Sequence, residues 1–200
     1  MSFGHLPALV SDLTFGRATV EIEIVTADRT LDSLTLEDGE TYWPSPDDTR
    51  PEIDELTRLG SYDSIFVFWP QNDFGSNGSI PARGWGLGMS ASAWSNHATY
   101  ATVANAPPFA WRIPKIGEVW LHEWLHGVCA YFRERGHLMP AGDADGGSRH
   151  GYVQSETKGW TDYYRDLMNA GVLDEGRLTG IRPDGWLLER PSPSEILPHA

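Results

Sequence analysis

The chain has 200 residues, 40% of them hydrophobic and nine of them tryptophan, which suits one folded domain over residues 1–200 and excludes a disordered chain. A formal net charge of −13, with a pI near 4.8, disfavours a nucleic-acid partner or an anionic membrane surface. No apolar run reaches ~18 residues, so no membrane span is expected. The single cysteine, Cys129, leaves no internal disulfide to form.

The N-terminus lacks a basic region followed by an apolar stretch. Either no signal peptide directs export or one has been removed, and the compartment stays open. Residues 1–16 read as irregular. Residues 18–25 alternate apolar and acidic side chains, the period of a half-buried strand, with Val20, Ile22 and Ile24 inward and Glu21 and Glu23 in water. Residues 26–50 read as loop, with short extended pieces near 34–36 and 42–43. Residues 51–59 open on Pro51 and acids, space Ile53, Leu56 and Leu59 helically, and stop at Gly60, which predicts a short helix. The apolar, β-branched and aromatic run 64–69 predicts a strand buried on both faces and ended by Pro70.

Residues 71–83 read as loop, with Asn77-Gly78-Ser79 as a turn. The alternating glycines of Gly84-Trp85-Gly86-Leu87-Gly88-Met89 predict an extended segment that another backbone approaches closely. A short strand follows at 99–103, then a Pro-rich connector at 105–114. It leads into a mostly apolar helix over roughly 115–135, with Gly136 placed to cap it. Residues 137–152 are a polar loop. A second helix is expected over roughly 156–170, with Ser155 as N-cap, Gly171 past its end and a stripe of Trp160, Tyr163, Tyr164, Leu167 and Met168. The residues from 181 onward carry four prolines and read as an extended surface tail.

The helix over 115–135 contains His122-Glu123-Trp124-Leu125-His126, of the form His-Glu-x-x-His. On a helix the two histidines project from one face, one turn apart, so both can grip one zinc ion. Glu123 then stands at the neighbouring edge, where it can take a proton from a zinc-bound water. Two histidines and a glutamate inside an apolar helix are costly to bury unless satisfied, by a metal or by hydrogen bonds. A catalytic zinc takes a third protein ligand, and the following loop offers His137, Asp143, Asp145 and His150, with Glu156 beyond it. Cys129 reads as a buried inert thiol, and Glu118 as a solvated helix-start acid or, alternatively, as an acceptor for His122. His5, His97 and His199 are assigned no role.

On His122, Glu123 and His126 the sequence resembles the zincin metallopeptidases. The metzincin continuation requires a histidine six residues after the second motif histidine, where this chain has Phe132. The gluzincin pattern has a glutamate on a following helix, which Glu156 matches. The aspzincin pattern Gly-Thr-x-Asp-x-x-Tyr-Gly is partly matched by Gly142-Asp143-Ala144-Asp145 and, after an insertion, His150-Gly151-Tyr152, with Asp143 in place of threonine and His150 where the tyrosine is expected. That match favours Asp145 as third ligand, and an anionic oxygen there would leave the site at charge +1. Residues 62–70 and 159–168 also look like a group of His-Glu-x-x-His proteins from bacteria and fungi.

The expected protein is an α+β, zincin-like monomer: a small mixed sheet of about four strands, the motif helix beneath it, and the second helix closing the site. The expected activity is that of a zinc-dependent hydrolase acting on a peptide or protein substrate, most simply a metalloendopeptidase. His122, His126 and Asp145 bind Zn²⁺, Glu123 is general base, and Tyr152 donates to the oxyanion. Two alternatives stand beside it. One is a tryptophan-rich glycan-binding module with structural zinc or none, and the other is a zinc hydrolase of a non-peptide bond.

Overall fold

The computed structural model describes residues 2–84, 86–105 and 117–187. In chain order it has a 3-10 turn at Ser2–His5, then α1 (Leu6–Leu13), β1 (Thr35–Leu36), β2 (Tyr42–Trp43), α2 (Arg50–Leu56), β3 (Ser64–Trp69), β4 (Asn72–Asp73) and β5 (Gly78–Ser79). There follow β6 (Gly86–Met89), β7 (Thr99–Ala104), α3 (Glu118–Glu134), α4 (Thr161–Leu167), β8 (Val172–Asp174), β9 (Arg177–Thr179) and a last 3-10 turn at Pro183–Leu187. The fold is α+β, with four helices and small sheets. No described helix is long and apolar enough to cross a membrane.

The organising strand is β7. Its sequence, Thr-Tyr-Ala-Thr-Val-Ala, mixes β-branched and small residues, and all six are buried. It lies between β3, which runs parallel to it, and β6, which runs antiparallel, so the main sheet is mixed and has the order β3-β7-β6. The sheet thus has three strands rather than about four. Helix α3 crosses the face formed by β6 and β7, and glycine makes that possible. A β-carbon at Gly86 would collide with the Thr102 carbonyl and the Glu123 side chain. One at Gly88 would collide with the Glu123 carbonyl oxygen, and one at Gly127 on α3 with the Met89 carbonyl. The close backbone approach expected of the alternating glycines is present, and α3 is its other party.

The core lies between α3, α1 and α4. It gathers Leu121, Leu125, Cys129 and Phe132 from α3, Leu9, Val10 and Leu13 from α1, and Tyr163, Tyr164 and Leu167 from α4, with Val172 and Ile181 closing it. Burial pushes the Cys129 thiol well above its ordinary pKa, which fits the inert reading. Helix α3 ends as its sequence suggests. Gly136 has φ +84°, and the N–H groups of Gly136 and His137 return to the carbonyls of Arg133 and Phe132.

Several expectations are corrected. Residues 6–13 form a helix rather than irregular chain, with Leu6, Leu9, Val10 and Leu13 buried at helical spacing and proline tolerated in the first turn. Residues 18–25 form no strand. Val20 packs against the core, but Ile24 is 61% exposed and the segment has no sheet partner. Arg29 instead ties this region to α2 through Glu52 and the Asp48 carbonyl. β3 is not buried on both faces. It is a sheet edge among the described residues, and Phe68 is exposed.

Helix α4 starts five residues later than expected, because Ser155 Oγ takes the N–H groups of Thr157 and Lys158 to close a turn of its own. The chain entering α4 is held by Glu118, whose carboxylate accepts the Trp160 N–H at 2.6 Å. Glu118 is therefore buried, not solvated, and it serves α4 rather than His122. The hairpin β8–β9 was not anticipated. Its turn, Glu175-Gly176, has φ of +48° and +78°, a conformation that Asn-Gly announces and Glu-Gly does not. Residues 183–187 of the expected tail form a 3-10 turn, with Ile181 and Gly185 buried. The Pro-rich connector at 106–114 and the tail from 188 lie outside the described residues.

Candidate metal centre

His122 and His126 stand one turn apart on α3, with ring centroids 4.8 Å apart and planes nearly perpendicular. Their Nε2 atoms converge to 3.3 Å. Each ring is held from behind by its Nδ1, His122 by the Tyr164 hydroxyl and His126 by Asp143 Oδ1, both at 2.8 Å. Asp145 completes the group. Its Oδ1 is 3.5 Å from His122 Nε2, and its Oδ2 is 3.8 Å from His126 Nε2. The carboxylate of Glu123 lies beside the imidazoles, with one ligand atom from each of the three residues within 4.8 Å of the others.

These separations test the fit to a metal. Bonds of ~2.0–2.1 Å to a tetrahedral zinc set its ligands about 3.3–3.4 Å apart. The Nε2 atoms of His122 and His126 stand at that spacing, 3.3 Å apart, and the Asp145 carboxylate approaches them through different oxygens, Oδ1 at 3.5 Å from His122 and Oδ2 at 3.8 Å from His126. Two imidazoles and one carboxylate are also a donor set that zinc accepts.

Burial and charge shape the protonation of the site. Burial pushes the Glu123 carboxyl up to about 7, with Asp145 adding to the rise and His126 opposing it. The two imidazoles are too close for both to be charged. Burial, reinforced by His126, holds His122 below its ordinary value. Burial also works against charge on His126, but the hydrogen bond and charge of Asp143, with Glu123 and Asp145, outweigh it and raise its pKa. Burial pushes Asp143 up, and the hydrogen bond from His126 prevails and leaves it below the usual carboxylate range.

The other residues singled out in the sequence go elsewhere. Asp143 takes the outer nitrogen of His126 instead of facing the shared point. His150 lies behind the loop, its Nε2 at 2.9 Å from the Ala141 carbonyl and its ring stacked on Tyr163. His137 is buried at the end of α3, where its Nδ1 accepts the Arg182 N–H. Glu156 is exposed in the turn before α4. Tyr152 directs its hydroxyl to Asp166 Oδ2 at 2.5 Å, not toward the imidazoles.

Tyr164 was missed as a site residue, because a buried tyrosine in an apolar stripe looks the same as one that only packs. The one available signal was that a buried hydroxyl needs a partner. Arg133, 3.5 Å from Asp143 Oδ2, was missed as well; it follows His126 by two helical turns.

Of the described tryptophans, Trp69 and Trp120 are buried, Trp94 is exposed, and the rest, including the stacked pair Trp124 and Trp186, are half-buried. A small, open pocket lined in part by Trp43, Trp69, Leu87 and Thr102 lies by the sheet and includes none of the imidazole or carboxylate groups above.

Compared with family models, with curated proteins and with solved structures, the chain finds no match in any of the three.

Proposed function

We propose that the chain is a zinc-dependent hydrolase that cleaves peptide bonds within an extended chain. The observation that carries this reading is the convergence of His122 Nε2, His126 Nε2 and the Asp145 carboxylate, at 3.3, 3.5 and 3.8 Å from one another, beside the buried carboxyl of Glu123. His122, His126 and Asp145 would hold the metal. Bound there, zinc would supply Lewis acidity and a water acidified toward neutral pH.

The remaining steps belong to the chain's own groups. Glu123 takes a proton from the attacking water and returns it to the departing amine. A carboxyl raised to about 7 exchanges protons readily near neutral pH, although a cation beside it draws that value down again. Strand β6 supports a peptide as substrate. It pairs only with β7 among the described residues, so its other edge offers backbone groups to an added strand, directly above Glu123 and His126.

Titration with zinc and the substitution Glu123→Gln test the proposal together. The expected result is one zinc per chain in both proteins, with turnover of a peptide substrate falling by about 10²–10⁴ in the variant. No zinc binding, or unchanged turnover in the variant, would overturn it.

A further inference from the structure

We propose that Asp143 is a positioning residue that fixes the proton of His126 on Nδ1 and so keeps Nε2 bare and aimed at the point shared with His122 and Asp145. This rests on the reading that those three residues hold a metal ion. An ionised carboxylate can only accept, so the 2.8 Å contact from Asp143 Oδ1 requires a hydrogen on His126 Nδ1. In the neutral ring the lone pair is then on Nε2, the tautomer that a metal needs.

Asp143 is itself held from three further directions. The Ala144 N–H donates to the same Oδ1 at 2.6 Å, the Arg133 guanidinium stands 3.5 Å from Oδ2, and the Tyr163 hydroxyl donates to the Asp143 carbonyl. Its backbone has φ +32°, in the left-handed region that favours glycine, so an aspartate stands where its side chain is a backbone burden. The 3-10 turn Asp143–Asp145 also carries Asp145, so one turn both aims His126 and delivers the third carboxylate.

The other imidazole is treated differently. His122 Nδ1 meets the Tyr164 hydroxyl at 2.8 Å, and a phenol can give or take a hydrogen bond. Tyr164 therefore orients His122 without choosing its tautomer. The lock is one-sided and sits on His126.

The test uses the full chain. In ¹⁵N-imidazole spectra of the metal-free protein at about pH 8.5, above the ordinary imidazole range, His126 is expected as the Nδ1–H tautomer alone. Asp143→Ala is expected to bring in the Nε2–H tautomer and to weaken zinc binding by about 10–100-fold, measured by competition with a chromophoric chelator, with Tyr164→Phe weakening it less. A His126 that stays wholly Nδ1–H in Asp143→Ala, or a zinc affinity within about twofold of the parent chain, would overturn the proposal. If Asp143→Ala fails to fold, Asp143→Gly suits the φ of +32°, removes the acceptor and decides on the same two readouts. Failure of the parent reading looks different: the unaltered chain would bind no zinc, or His126→Ala would bind it equally well.

Discussion

One carboxylate spans both imidazoles: Asp145 Oδ1 lies 3.5 Å from His122 Nε2, and Asp145 Oδ2 lies 3.8 Å from His126 Nε2. The Asp145 side chain is 73% exposed, so its placement beside the rings does not come from packing. Asp145→Ala is expected to lower zinc affinity by more than about 100-fold, beyond the loss typical of a residue that only orients a ligand. The metal-free protein should keep its stability to within about 0.5 kcal/mol, as for other exposed positions. Chelator competition and urea denaturation of the metal-free chain measure the two quantities.

Gly88 has no room for a methyl group. A β-carbon there would collide with the Glu123 carbonyl oxygen and come within 3.0 Å of the His126 β-carbon. Gly88→Ala should therefore destabilise the fold by about 1–3 kcal/mol or more, and displace the two motif residues as well. Gly4 meets nothing within 4 Å, so Gly4→Ala serves as the comparison and should change stability little. Thermal unfolding of both variants separates crowding from a general cost of replacing glycine.

The Tyr152 hydroxyl donates to Asp166 Oδ2, and its ring packs edge-on against Tyr163. Tyr152→Phe should cost about 1 kcal/mol of stability, the worth of a partly exposed hydrogen bond. Turnover should stay within about threefold of the parent chain, because general electrostatic assistance at an oxyanion is worth far more than that when removed. A fall of about 10²-fold in kcat would restore Tyr152 to the oxyanion role.

Asp48 links the loop of β1 and β2 to the start of α2. It accepts hydrogen bonds from Ser33 Oγ, Thr35 Oγ1, Ser45 N and Ser45 Oγ at 2.7 to 2.9 Å. Burial pushes its pKa up, and the hydrogen bonds, led by Ser33, outweigh it and leave the pKa depressed. A depressed folded pKa gives stability that is present above the unfolded value of about 3.9 and lost as pH falls through the folded one. Asp48→Asn should thus be less stable than the parent at pH 7, by roughly 1–3 kcal/mol, and the difference should shrink below about pH 4. Urea midpoints of the pair across that range check the sign, and a constant gap would contradict it.

The parts of the fold visible in the sequence are those where local pattern and tertiary demand agree. The motif helix has apolar flanks and a terminal glycine, and it appears as α3. The glycines of β6 carry their message because only a close neighbour explains them. Residues 18–25 show the reverse: a strand pattern needs a partner, and none stands beside it. The start of α4 depends on Glu118, a contact across 42 residues that no local rule contains. Within the site, the spacing of His122, Glu123 and His126 was legible because one helix turn sets it. The different placement of Asp143 and Asp145 was not, since two aspartates in one polar turn differ only in the direction their backbone gives them.

The seating of β6 on α3 also limits how that strand can change. Side chains alternate along a strand, so Gly86 and Gly88 face the helix while Leu87 and Met89 face away. Sliding the strand by one residue would drive Leu87 or Met89 into the Glu123 backbone, whereas a slide of two keeps glycine at both contacts in one direction, through Gly84 and Gly86, and brings Ser90 to one of them in the other. The strand therefore accepts a two-residue shift in one direction alone, because a β-carbon at the Gly88 contact collides with the Glu123 carbonyl.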